Sequence, residues 1–235
     1  MAKIKANEAL VKALQTWNID HLYGIPGDSV DAVVDSLRTV RDQFKFYHVR
    51  HEEVASLAAA SYTKMTGKIG VALSIGGPGI VHLLNGMYDA KMDNVPQLII
   101  AGQTNSTLLG TKFFQETNIS KMVDDVAVFH HQVQKGDDLF EITNEAIRTA
   151  YEKNGVAVII CPNDLLTQKI KDTTNRPVDT SRPVLPTPSY RSIKKAAKLI
   201  NKSKKPVVLF GVGAQHAKDE LREFVEMAKI PVIHT

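Results

Sequence analysis

The sequence predicts an α/β protein whose parallel sheet is covered by helices on both faces. Short apolar runs alternate with helix-periodic segments from the start of the chain to Cys161, and this order is typical of parallel sheets. The run 156–161 is rich in Val and Ile, as expected for a strand buried on both faces. The 235 residues are 43% hydrophobic and 23% charged, which is the composition of a globular protein.

The first part of the chain supplies two helices and two strands. A helix is predicted over 7–17, where Leu10 and Leu14 recur on one face. A strand at 19–25 leads into the turn Gly-Ile-Pro-Gly-Asp, in which Asp28 or Ser29 is placed to cap the next helix. That helix is marked by four apolar residues: Val30, Val33, Val34 and Leu37. A second strand follows at 44–49.

Residues 50–96 form the central unit of the chain. A helix opens with an acidic pair, and the apolar spacing predicts that its buried face carries six residues: Val54, Leu57, Ala58, Ser61, Tyr62 and Met65. A strand at 69–75 then reaches a turn with glycine at 76, 77 and 79, and a helix follows that ends near Asn94. A strand, a glycine turn and a helix beside a carboxylate are a suitable place for a cofactor.

The remainder of this domain holds two further strands and one helix. A strand is predicted at 97–101, a helix at 138–153 and a buried strand at 156–161. Between them, residues 102–120 have no periodicity and contain Phe-Phe-Gln-Glu. A loop of that length in a compact domain is usually functional or disordered, and this composition favours function.

The chain is predicted to contain two domains. Residues 1–166 form the first, and 167–189, with prolines at 177, 183, 186 and 188, form a linker. From 190 to 235 the pattern restarts as a Rossmann-like α/β domain with two helices and two strands. Two strands cannot bury a two-sided sheet, so we expect this second domain to be incomplete.

Composition excludes several classes of partner. The net charge of +4 is spread out and no basic run is interleaved with aromatics, so we expect no nucleic acid. No apolar stretch approaches the roughly 20 residues that a bilayer needs, so we expect no membrane. One cysteine and no signal-like start predict a cytoplasmic protein. His51, His130 and His131 have no metal-ligand company in sequence, and no metal ligand is predicted.

Five motifs in order resemble the N-terminal pyrimidine-binding domain of thiamin-diphosphate-dependent enzymes. They are Gly-Ile-Pro-Gly-Asp, Arg-His-Glu-Glu, Gly-Pro-Gly, Asn-Val-Pro and Phe-Gln-Glu. Within that family, Tyr88-Asp89-Ala90, 93–96 and 123–127 are most similar to the pyruvate oxidases. The tail Gly-Val-Gly-Ala-Gln is similar to the opening of their central FAD-associated domain, so the resemblance covers the whole chain.

The resemblance implies a catalytic role for Glu52. Its carboxyl group would bond to N1′ of the cofactor pyrimidine and promote the tautomer that takes the thiazolium C2 proton. By position alone, Glu52 and Glu53 would equally be acids that favour the start of a helix. The resemblance also assigns five residues to the pyrimidine site: Gly76, Gly77, Pro78, Gly79 and Asn85.

Three more groups of residues are assigned in the same way. Pro26 and Gly27 would reach the reaction centre of a neighbouring subunit, although a plain turn explains them equally. Phe114 and Gln115 would shape the substrate pocket, where the alternative is a loop anchored in a core. Four residues would contact FAD: Gly211, Gly213, Ala214 and Gln215. The third glycine of a dinucleotide fingerprint is absent here, since position 216 is His216.

The implied reaction converts pyruvate, phosphate and O₂ into acetyl phosphate, CO₂ and H₂O₂ in a homodimer or homotetramer. The nearest match to the family's Mg²⁺ motif is Gly136-Asp137-Asp138, which lacks the second glycine and the asparagines, so we expect the metal ligands outside this chain. We therefore expect this piece alone to be inactive. Two alternatives remain: an acetolactate synthase and a catalytically silent scaffold. His82 counts against the synthase, because synthases often carry Asn at that position.

Overall fold

A computed structural model describes residues 2–182, 187–214 and 217–235. The chain forms two compact units, Met1–Pro183 and Val184–Thr235. In these residues, no helix combines the length and the apolar character that crossing a membrane requires.

The first unit is built from eight strands and seven helices among its described residues. In chain order they are β1 (Lys3–Lys5), α1 (Ala6–Thr16), β2 (His21–Gly24), α2 (Asp31–Thr39), β3 (Lys45–His48), α3 (Glu52–Thr66), β4 (Gly70–Ser74), α4 (Pro78–Met92), β5 (Gln97–Gln103), α5 (Ile119–Val123), β6 (Ala127–Gln132), α6 (Leu139–Lys153), β7 (Val156–Pro162), α7 (Asn163–Leu166) and β8 (Lys169–Lys171).

Six of these strands form one parallel sheet in the order β3-β2-β4-β5-β7-β6, which confirms the predicted fold class. Alternate side chains of the central strands enter two separate cores. On β7, Ala157, Ile159 and Cys161 join α1, α2, α6 and α7, whereas Val158 and Ile160 join α3, α4 and α5. Because successive strand residues point to opposite faces and both faces are covered, the central strands are mostly apolar.

Three strands were not predicted from the sequence. β6 lies at the sheet edge, where every residue is half-buried and a register shift falls between Ala127 and Phe129, so no apolar alternation marks it. β1 and β8 pair antiparallel, with Ile4 opposite Ile170. β8 therefore lies within the segment expected to be a linker, of which Pro183 and Pro186 are outside the described residues.

The predicted buried face of α3 is wrong. Val54 is 50% exposed and Met65 is 86% exposed, whereas the buried residues of this helix are small: Ala55, Ser56, Ala59, Ala60 and Thr63. These small residues allow α3 to approach α4 closely. The approach is so close that a methyl group added at Gly86 of α4 would lie 2.5 Å from the Leu57 nitrogen. The large apolar residues of α3, which were expected to mark its buried face, therefore mark its outer face.

The second unit contains α8 (Tyr190–Lys202), β9 (Val208–Phe210), α9 (Lys218–Ala228) and β10 (Val232–His234) among its described residues. β9 and β10 are parallel neighbours, with Val208 opposite Val232. A short 3-10 turn, Val212–Ala214, follows β9. The two helices and two strands match the elements expected for the start of an α/β domain.

Cys161 provides a test of the core. Burial raises the pKa of its thiol from 9.0 to about 12, and the side chain is fully buried. The unfolded chain therefore ionises first, so stability should fall as pH rises above 9, by about 1.4 kcal/mol per pH unit. Urea unfolding at two alkaline pH values should show this loss in the native chain and a smaller loss in Cys161→Ala. Equal slopes in both proteins would contradict the burial of this thiol.

Candidate active site

The residues assigned to the site meet at the carboxyl edge of the sheet. The turns that follow β2, β4 and β5 and the start of α3 after β3 all lie there, since these four strands are parallel neighbours. The Gly76 N–H donates to Ser29 Oγ at 3.2 Å, which joins the first two turns. Ser29 therefore does not cap α2, which has no side-chain cap. Ligands of open parallel sheets bind at this edge.

Glu52 is the first residue of α3, and its carboxylate contacts His82 on the second turn of α4. The distance from His82 Nδ1 to Glu52 Oε2 is 2.9 Å, and the Glu52 side chain is 13% exposed. Partial burial raises the pKa of Glu52, but the hydrogen bond from His82 and the nearby imidazoles outweigh it, so its pKa is lowered overall. This places an ionised, oriented carboxylate at the sheet edge.

The neighbouring carboxylate is held in a similar way. Asn85 Nδ2 donates to Glu53 Oε1, and His51 Nδ1 lies 3.7 Å from Glu53 Oε2. The rings of His51 and His82 are 4.4 Å apart between centroids. Sequence reasoning missed these contacts, including the role of His82. The signal was present in α4, where His82 and Asn85 are polar residues three apart and so share a face of the helix.

The glycine turn packs backbone against backbone. Gly77 has φ +58°, and a methyl group added to it would lie 2.9 Å from the Gln115 carbonyl oxygen. One added at Gly76 would lie 2.9 Å from the Gly102 carbonyl oxygen. Side chains are therefore excluded between this turn and the loop after β5, and the close packing fixes the path of both segments at the sheet edge. The assignment of the pyrimidine to this turn stays a prediction.

The loop after β5 presents Phe114 to solvent. Gly110 and Phe113 donate backbone N–H groups to the Glu116 carboxylate, and the Gly110 bond is the main cause that lowers the pKa of Glu116. Phe114 is 76% exposed, so anchoring in a core does not explain it. Gln115 has φ +61° and touches the glycine turn through its backbone.

The turn at Pro26 and Gly27 lies beside the glycine turn. Pro26 is exposed, and the Gly27 carbonyl accepts the Val30 N–H at 2.9 Å. A methyl group added at Gly27 would meet Ile75 at 2.6 Å, so glycine is needed for this close approach. Pro26 therefore remains available at the rim of the site.

The acidic residues of the nearest Mg²⁺-like motif are occupied by structural contacts. Asp137 accepts from the Gln134 N–H at 2.8 Å and lies 2.7 Å from His131 Nε2. Asp138 accepts two backbone N–H groups at the start of α6 and the Thr173 hydroxyl. These two carboxylates therefore stabilise the turn before α6 and the start of that helix.

Several of the residues that favoured the pyruvate oxidases within the family form polar contacts at the surface. Lys64 lies 2.7 Å from Asp89 and 2.6 Å from Asp93, which links α3 to α4. Asp125 accepts from Tyr88 and Lys91. They hold elements together and do not enter the site described above.

The second unit has a cavity of about 640 Å³ at the carboxyl ends of β9 and β10. Gly211 and Ala214 line it, and Lys218 and Arg222 add positive charge. Gly213 lies in the adjoining 3-10 turn, and Gln215 lies outside the described residues. Glycines, cationic side chains and this position fit part of an anionic dinucleotide.

Comparison with known proteins identifies an enzyme family. Residues 4–122, half of the chain, match the family described as "Thiamine pyrophosphate enzyme, N-terminal TPP binding domain". Residues 193–235 match "Thiamine pyrophosphate enzyme, central domain". Thiamine pyrophosphate is another name for thiamin diphosphate, so both units match one enzyme family.

Three relatives align over almost the whole chain. The thiamine pyrophosphate-containing protein YdaP of Bacillus subtilis (strain 168) is 48% identical over 100% of this chain and 41% of its own length. A pyruvate oxidase of Lactiplantibacillus plantarum is 39% identical over 99% of this chain and 39% of its own length. An acetolactate synthase large subunit of Corynebacterium glutamicum is 36% identical over 97% of this chain and 37% of its own length. The chain thus spans about two-fifths of these relatives.

Proposed function

The chain belongs to the thiamine pyrophosphate enzyme family, and we propose that it forms the pyrimidine-binding half of the active site of a pyruvate oxidase. The observation that carries the pyrimidine-binding role is the ionised Glu52 carboxylate, held by His82 at the sheet edge that also carries the glycine turn. Bound thiamin diphosphate supplies an acidic C2–H and an electron sink for 2-keto acids. The parent enzyme would convert pyruvate, phosphate and O₂ into acetyl phosphate, CO₂ and H₂O₂.

Each residue of the site has a distinct task in this proposal. Glu52 exchanges a proton with the pyrimidine N1′, while the hydrogen bond from His82 keeps its carboxylate oriented. The backbone of the glycine turn lies against the pyrimidine ring. Phe114 and Gln115 border the substrate, since the exposed Phe114 ring can exclude water from it.

Other parts of the holoenzyme would complete the site. We assign part of the FAD to the cavity lined by Gly211 and Ala214, with Gly213 in the adjoining turn, because Lys218 and Arg222 add positive charge to its largely apolar lining. We assign the Mg²⁺ and diphosphate ligands to protein outside this chain, since the acidic groups of Gly136-Asp137-Asp138 are occupied. A half-site of this kind requires a partner, so we propose a homodimer or homotetramer. We also propose a cytoplasmic enzyme.

Acetolactate synthase is the second candidate. The Corynebacterium glutamicum relative has this name, and a Glu52 site would serve carboligation of two 2-keto acids equally well. The oxidase is favoured by His82, which differs from the asparagine frequent in synthases, and by the cationic cavity of the second unit. A silent scaffold is disfavoured because it would not require an ionised carboxylate at this edge.

The experiment that tests the proposal uses the full-length protein. Pyruvate, phosphate, thiamin diphosphate, Mg²⁺ and FAD are supplied together, and H₂O₂ and acetolactate are measured in the same reaction. We expect peroxide that depends on phosphate, without acetolactate. Acetolactate without peroxide would assign the protein to the synthases. If neither product formed, the silent scaffold would be the remaining interpretation.

Phe114→Ala should separate the substrate pocket from the fold. The ring is 76% exposed, so its removal should leave the melting temperature unchanged. Loss of one apolar contact to substrate should lower kcat/KM for pyruvate by about tenfold or more. Met65→Ala is the control, because Met65 is 86% exposed and lies on the outer face of α3. Equal kcat/KM for both variants would show that Phe114 does not line the substrate pocket.

A further inference from the structure

We propose that the chain, when free of thiamin diphosphate, binds Zn²⁺ through His51, Glu52 and His82. The sequence gives His51 no ligand company, but the packing of α3 against α4 brings the three side chains together. One ligand atom from each lies within 4.8 Å of the others. Two imidazoles and one carboxylate are a frequent zinc ligand set with an open fourth position.

Small side-chain movements would complete the coordination. Glu52 Oε2 and His82 Nδ1 are already 2.9 Å apart, and ligand atoms about 2.0–2.1 Å from a tetrahedral zinc ion stand a little over 3 Å from each other. The His51 and His82 side chains are 49% and 43% exposed, so solvent reaches both rings. Solvent exposure also gives the ion an entry path.

A second carboxylate lies beside the proposed ligands. Glu53 Oε2 lies 3.7 Å from His51 Nδ1, and Asn85 holds the other oxygen of Glu53. A carboxylate behind Nδ1 leaves Nε2 of His51 for the metal and raises its basicity. Zinc-binding histidines usually donate their other ring N–H to such a carboxylate, and closing the 3.7 Å gap by less than about 1 Å would form that bond here.

Charge also favours a cation here. The start of α3 carries the positive end of its dipole, which would repel a cation. Glu52 and Glu53 lie in that first turn and together offset it.

Zinc and the cofactor would compete for one group. Under the proposed function, on which this step alone rests, the Glu52 carboxylate bonds to the pyrimidine N1′. The same oxygens cannot serve the metal at that time. Zn²⁺ would therefore delay loading of the cofactor onto the free protein and would leave the loaded protein unaffected.

The test measures metal binding on the complete apoprotein, without substrate. Co²⁺ serves as the spectroscopic probe, since a four-coordinate site gives visible absorption, and Zn²⁺ is then titrated against it. We expect His51→Ala and His82→Asn each to weaken binding by about 100-fold, and Glu53→Gln by about tenfold. His131→Asn is the matched control, because His131 also pairs with a carboxylate, Asp137 at 2.7 Å, and should bind as the native protein does.

Three results would overturn the proposal. They are no Co²⁺ absorption in the native apoprotein, unchanged affinity in both histidine variants, and an equal loss of affinity in His131→Asn. Circular dichroism of each variant shows that the fold is retained.

Addition of thiamin diphosphate and Mg²⁺ should abolish the Co²⁺ spectrum, and a spectrum that persists would contradict the shared Glu52 carboxylate. Metal binding is read without turnover, so its failure is distinguishable from failure of the oxidase assay.

Discussion

Glu52→Gln in the full-length protein should lower kcat for pyruvate by at least about 100-fold while the fold stays intact. Glutamine has nearly the same shape and can still accept the hydrogen bond from His82, so packing at the start of α3 is preserved. It cannot exchange a proton with N1′ of the pyrimidine. The loss should therefore appear in kcat, and the melting temperature should change little.

Glu53→Gln is the matched control for this experiment. Glu53 is adjacent in sequence, but it faces Asn85 and His51 and does not contact His82 in the way that Glu52 does. We expect its kcat to stay within a few-fold of the native value. If both variants lost activity equally, or if neither did, the assignment of catalysis to Glu52 would be wrong.

Gly86→Ala should produce the largest loss of stability among the single methyl additions proposed. The added carbon would lie 2.5 Å from the Leu57 nitrogen and 2.6 Å from the Ser56 carbonyl carbon, both of which are backbone atoms of α3. Backbone cannot rotate away, so α3 and α4 must separate. Overpacking of this kind costs about 1–3 kcal/mol, and chemical denaturation measures it as a lower midpoint.

The same separation should disturb the site. His82 lies one turn before Gly86 on α4, and its contact with Glu52 depends on the spacing of the two helices. The variant should therefore lose affinity for thiamin diphosphate as well as stability. Gly213→Ala is the control for stability, because an added methyl group there meets no atom within 4 Å. Equal midpoints for the two variants would show that α3 and α4 do not pack as closely as described.

The order of strands and helices could be predicted from the sequence because burial on both faces leaves a clear chemical pattern. β7 is apolar throughout, β5 is apolar between Gln97 and Gln103, and the turns between elements carry glycine or proline. β6 could not be predicted because an edge strand is only half-buried and need not be apolar. β1 and β8 are three residues each, and their pairing joins the two ends of the first unit.

The site could be predicted only in part. Glu52 and the glycine turn were accessible from motifs that lie close together in sequence. The contact between Glu52 and His82 spans 30 residues and depends on small residues at the α3–α4 crossing, which a search for large apolar residues places on the wrong face. Packing of backbone against backbone at Gly77 and Gln115 is likewise set by tertiary structure.

The most direct test of the central claim, that Glu52 activates thiamin diphosphate, is the exchange of the cofactor's C2 proton with D₂O on the full-length protein. This exchange precedes substrate binding, so it isolates the step that Glu52 serves from the rest of the reaction. The native protein should exchange rapidly, and Glu52→Gln should exchange slower by about two orders of magnitude or more with cofactor still bound. Equal exchange rates in the two proteins would contradict this account.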